Sequence, residues 1–157
     1  MNYKMSVVSN QEYDVLIYFL YAIEKGLVTK DEICNWADKK IAEEESPTSI
    51  VLDLSLAKSL NEQFVIIMTF LHLSKITLTE KAFKLILIRL YDLLKKDEKE
   101  ISKVINLIFH LKDDLMLKES LFKDIYDLDN SYDMFVEGHM SSSQLKKRLI
   151  DFFLKYT

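Results

Sequence analysis

Two glycines, one proline and one cysteine are all that 157 residues contain of those three types. Sandwiches and barrels draw their tight turns from glycine and proline, so this scarcity argues against an all-β fold. Both residues also break helices, and long stretches here are free of them. A lone cysteine cannot close an internal disulfide, which suits a reducing compartment. No apolar run approaches the roughly 18 residues of a membrane span. The longest are VLIYFLYAI (15–23) and FVIIM (64–68). The opening MNYKMSVVSNQEYD lacks the charged, apolar, then small-residue pattern of a secretory signal. A cytoplasmic protein is expected.

Chemical motifs are equally scarce. There is no glycine-rich phosphate loop, no serine nucleophile elbow and no H-E-x-x-H. His72, His110 and His139 are far apart and show no ligand spacing. DLDNSYD (127–133) alternates oxygen donors like the start of a calcium loop. Tyr132 stands where such a loop needs glycine, and Gly138 where it needs glutamate. No catalytic residue, cofactor or metal is predicted, although nucleophile and base could still meet through folding.

What is present is ordinary for a globular chain: 49% hydrophobic and 29% charged residues. Length and composition predict one domain over 1–157. The net charge is −4, and residues 1–78 hold all of it, with 7 Lys against 11 acids. Residues 79–157 balance 14 bases against 14 acids. There is no basic footprint for nucleic acid. A basic protein partner suits the first half.

The pattern predicts an all-α domain of seven or eight helices packed as antiparallel αα-hairpins, either a bundle or a short irregular repeat. SNQE and TKDE read as capping boxes opening helices over 10–25 and 30–45, the second stopped before Pro47. Residues 48–60 alternate like a strand, but a lone strand has no partner, so a short helix is preferred. Further helices are expected over 61–73, 79–96, 98–112, 118–128 and 143–156, with a loop between the last two. Three junctions, around Val28, Leu78 and Leu117, look alike, as successive helical hairpins would. Helices 1 and 4 are apolar nearly all round, which leaves self-association open. The C-terminal helix mixes Leu145, Leu149, Phe152 and Phe153 with Lys146, Lys147 and Arg148, and is expected to dock on its own core.

The stretch ICNWADKKIAEEESPT (33–48) gathers the only cysteine, tryptophan and proline. Cys34 falls on the apolar stripe of its helix and reads as a core thiol. Trp36 falls off that stripe, near Glu43, and tryptophan is enriched in binding hot spots. Glu43, Glu44 and Glu45 crowd a helix C-terminus, where the dipole disfavours acids. With Asp38 and Asp53 they form a candidate acidic contact for a partner's Lys or Arg. Trp36, Ala37, Asp38, Pro47, Leu52, Asp53, Leu54 and Ser55 carry a resemblance. The segment 25–57 resembles small, mostly uncharacterised helical bacterial proteins, some of which are toxin-neutralising immunity proteins. The resemblance implies a non-catalytic, protein-binding role, and Asp53 and Ser55 could then be caps of a following helix. A scaffolding helical repeat and an enzyme of unrecognised type are the alternatives.

Overall fold

The computed structural model describes residues 9–73, 75–114 and 119–157. Most of the opening stretch expected to lack a secretory signal, the Leu117 junction and a helix start at 118 lie outside these. Among the described residues the chain is all-α, with no strand. Eight α-helices follow in order: α1 (Asn10–Glu24), α2 (Lys30–Glu43), α3 (Ser49–Leu56), α4 (Leu60–Phe70), α5 (Glu80–Lys96), α6 (Ile101–Leu111), α7 (Glu119–Val136) and α8 (Ser142–Tyr156). The contacts gather into two compact units, residues 1–76 and 77–157.

Side chains begin most of the helices. Ser9, Thr29, Ser59, Thr79 and Ser141 each accept from a first-turn N–H of α1, α2, α4, α5 and α8. Thr29 with Glu32 and Ser141 with Gln144 are full capping boxes. Asp97 caps a short 3-10 turn, Glu98–Glu100, which leads into α6. The SNQE box is only half made. Ser9 accepts from the Glu12 N–H at 3.2 Å, but the buried Glu12 carboxylate turns instead to the Thr48 hydroxyl, 3.0 Å away.

In the first unit α1 packs on α4, α4 on α3 and α3 on α2. Phe19 of α1 meets Trp36 of α2 edge-on at 5.2 Å, which closes the ring of four. Leu16, Ile17 and Leu20 of α1 and Ile33 and Ala37 of α2 are fully buried. In the second unit α5 packs on α6 and α8, and α7 packs on the same two. Tyr91 and Phe153 stack there at 5.1 Å. This is a closed four-helix arrangement, whereas repeats of a solenoid touch only their neighbours in sequence.

Three expectations need correction. The loop expected after residue 128 is helix as far as Val136. Its Asp, Asn and Ser residues disfavour helix locally, yet Ile125, Leu128 and Ser131 keep helical spacing and are buried, and packing decides. The calcium-like DLDNSYD therefore lies inside α7. Asp53 and Ser55 lie within α3 rather than capping its successor; Ser59 does that. Helices α2 and α4 also stop two or three residues earlier than expected, at Glu43 and Phe70.

Three helices leave through a left-handed residue. After α1, Gly26 (φ 68°) carries paired bonds from its own N–H to Ile23 O and from Leu27 N–H to Ala22 O. After α7, Gly138 (φ 83°) repeats the pattern with Phe135 and Met134. This is the Schellman closure. After α4 the same closure falls on His72 (φ 52°), bonded to Thr69 O, with Leu73 bonded to Met68 O. A β-carbon in this conformation costs about 1–2 kcal/mol. The sequence placed His72 at a helix end, but not in this conformation.

Two outcomes follow. His72→Gly is expected to stabilise the protein by about 1 kcal/mol, less than the full strain because glycine also loosens the unfolded chain. Urea unfolding reads this as a higher midpoint. Thr48→Val leaves the buried Glu12 carboxylate without its hydroxyl donor. A loss of about 1–3 kcal/mol is expected, with Thr48→Ser near the parent.

Candidate functional site

The sequence-predicted contact residues all lie in the first unit, on α2, the turn after it and α3. At about 100° per residue, Trp36 and Asp38 stand roughly 160° apart around α2. The structure agrees: Trp36 faces α1 through Phe19, while Asp38 accepts a hydrogen bond from Ser55 of α3. The helix therefore carries the candidate residues on two flanks.

On the Trp36 flank the indole is half-buried. Glu43 lies one heptad away on the same side, and its carboxylate sits 3.8 Å from Lys39 Nζ. Glu44 pairs with Lys40 at 3.6 Å. These i,i+4 pairs offset the adverse placement of acids at a helix C-terminus. Glu45 is exposed and has no ionic partner among the described residues.

The other flank is built by α3. Ile50, Val51 and Leu54 turn inward and are fully buried. The opposite side exposes Leu52 (43%) and Leu56 (79%), one turn apart. Helical geometry sets these leucines between Ser55, with its Asp38 partner, on one side and Asp53 on the other. Among the described residues exposed Asp53 has no partner, and Asp38 has only the neutral Ser55 hydroxyl. Sequence reading found both acids but not the leucines. Their alternation bears on strand or helix, not on which side faces outward.

Cys34 is half-buried rather than fully in the core. Its thiol points to the carbonyls of Leu54 and Ala57 at 3.5 and 3.9 Å. The wholly buried Gln63 of α4 donates from Nε2 to Cys34 Sγ at 3.3 Å and to Lys30 O at 3.1 Å. Its Oε1 has no partner. This cluster fastens α4 to α2 and α3, at the expense of one unsatisfied acceptor.

The three histidines do not converge. His72 is exposed in the first unit. His110 lies against Phe109 on α6, and exposed His139 lies 4.0 Å from Glu137. No group of three or more potential metal ligands occurs among the described residues. None of their helices is long and apolar enough to cross a membrane. No family model, curated protein or solved structure matches the chain.

Perturbed titration is found in the second unit. Asp124 of α7 takes hydrogen bonds from Lys155 Nζ (2.6 Å) and Tyr156 Oη (2.5 Å) of α8. Burial alone would raise the Asp124 pKa, but these donors outweigh it and hold it below 3.8. The bond to Asp124 holds Lys155 above 10.5. Burial, then the same carboxylate, raises Tyr156 above 10.0. A depressed acid stabilises the fold above its unfolded pKa and loses that contribution as pH falls through the folded value. Raised bases and phenols do so below theirs, and lose it as pH rises. Stability is therefore expected to hold from mildly acidic to mildly alkaline pH and to fall outside both ends. Asp124→Asn should lower the plateau and flatten both shoulders in urea midpoints taken across pH.

Proposed function

We propose that this chain is a non-catalytic protein-binding module of the immunity type, neutralising a toxin domain by covering it. The observation that carries this reading is the outer side of α3. Two exposed leucines there are bracketed by Asp38 and Asp53, which form no ion pair among the described residues. An apolar centre with a charged rim is the layout of a protein interface. The acids suit Lys or Arg of the partner. The charge surplus of the whole chain supports the same placement. Residues 1–76 hold 7 Lys and 11 acids, and residues 77–157 are balanced at 14 and 14. The resemblance over residues 25–57 falls on these same helices, and the lone Cys34 suits a reducing cytoplasm.

Trp36, Glu43, Glu44 and Glu45 form a second, weaker part of the contact. Two of the three glutamates already hold lysines, and the indole already leans on Phe19.

The test is a tagged capture from source-cell lysate at low and high salt, identification of what elutes, and titration of that partner. A basic partner released by salt is expected. Asp38→Lys with Asp53→Lys should weaken it at least roughly tenfold, about 1.4 kcal/mol. Leu56→Ala should weaken it also, and Trp36→Ala less than either. Circular dichroism checks that each variant stays folded. Unchanged affinity in the folded double variant would remove α3 from the contact.

A further inference from the structure

The second unit contains a cleft of about 330 Å³ between α7 and α8. Asp124, Asp127, Leu128 and Ser131 line it from α7, and Arg148, Asp151, Phe152 and Lys155 from α8. Both sets follow i, i+3, i+4, i+7 spacing, so each helix gives the cleft one continuous face. Leu128 and Phe152 are buried and make an apolar floor.

The ends of the cleft are clasped. At one end Asp124 takes Lys155 and Tyr156. At the other, Arg148 Nη1 donates to Ser131 Oγ at 2.8 Å, and Ser131 donates on to the Asp127 carbonyl at 2.7 Å. Ser131 is 2% exposed, so the guanidinium is anchored on a buried hydroxyl. That hydroxyl is neutral. Arg148 therefore keeps its charge and most of its five N–H donors for something else. Between the clasps stand Asp127 and Asp151, one on each wall, and neither side chain has a hydrogen-bonding or ionic partner among the described residues. The lining thus offers one cation and two carboxylates that form no ion pair among the described residues, above an apolar floor. Arg148 turns Nη1 to Ser131 rather than to either carboxylate, and the rest of its fork stays open.

The complement is a molecule with one carboxylate and two cationic groups joined by an alkyl chain. We propose that the α7–α8 cleft binds a free dibasic amino acid of the lysine, ornithine and arginine class. Its carboxylate meets Arg148, where a fork of N–H donors matches two oxygens. Its α-ammonium and its side-chain cation meet Asp127 and Asp151. Its methylene chain lies along Leu128 and Phe152. The cleft volume is at the lower end of those that hold small ligands. Because the charges are exposed, affinity is modest and falls with added salt.

The experiment is a titration of the whole chain with L-lysine, followed by amide NMR shifts and by calorimetry. Saturable shifts clustered on α7 and α8 are expected. Norleucine lacks the side-chain ammonium and cadaverine lacks the carboxylate, and each should bind at least roughly tenfold more weakly. Arg148→Gln and the double variant Asp127→Asn with Asp151→Asn should lose as much, with amide spectra that remain dispersed. Nα-acetyl-lysine stands for the C-terminal residue of a peptide. Weaker binding supports the free amino acid, and equal binding overturns that assignment in favour of a peptide end. No saturable shift with lysine, norleucine binding as well as lysine, or folded variants that bind like the parent would each overturn the proposal.

Discussion

Everything in this chain rests on how its helix ends are satisfied. Each α-helix leaves four N–H groups and four carbonyls without internal partners, and eight helices joined by short connections multiply that demand. Glycine and proline are nearly absent, so polar side chains carry most of it. A serine, threonine or aspartate stands at six of the described starts and accepts from the first turn. Two described starts lack such an acceptor: α6 grows out of the turn that Asp97 caps, and Thr48 gives its hydroxyl to Glu12 and so ties the start of α3 to the first turn of α1. A local device has there become a tertiary one. At the exits both glycines of the chain are used, and the third left-handed exit falls to a histidine.

This explains which parts of the fold the sequence makes readable. Capping residues act within four positions of themselves, so the starts of α1, α2, α5 and α8 are evident from short words such as TKDE. The short helix α3 is readable by elimination, since a single strand has nothing to pair with. The second half of α7 is not readable locally. Its residues favour a loop, and what keeps them helical is long-range: Ile125 and Leu128 in the core and Arg148 on Ser131 from another helix. The candidate contact divides in the same way. Its acids and its tryptophan are visible as composition. That Trp36 and Asp38 face different neighbours follows from the helical angle, but which neighbour each meets depends on packing. The bracketed leucines of α3 needed the structure, because outward and inward leucines look alike in a string of letters.

The two units differ in how they manage charge. The first carries the whole negative surplus, and its lysines neutralise the end of α2 while leaving Asp38, Asp53 and Glu45 alone. The second is neutral and lays its charges between helices: Asp124 with Lys155, Arg148 on Ser131, Lys146 with Glu98. A surplus left uncompensated on an outer face steers and selects a large partner. Opposite charges held apart within a cleft discriminate between small ones. The same ordinary residues thus suit the two kinds of recognition proposed, and the difference lies in what they are allowed to touch.

The sole tryptophan has a spectroscopic consequence. Trp36 belongs to the first unit, half-shielded and edge-on to Phe19. Indole emission excited at the red edge, beyond tyrosine absorption, therefore reports on that unit alone. Far-ultraviolet ellipticity, dominated by helices of both units, reports on the whole chain. The natural sequence thus holds a built-in optical label for one half, and the gap between the two signals measures whether the halves melt as one cooperative body or in succession.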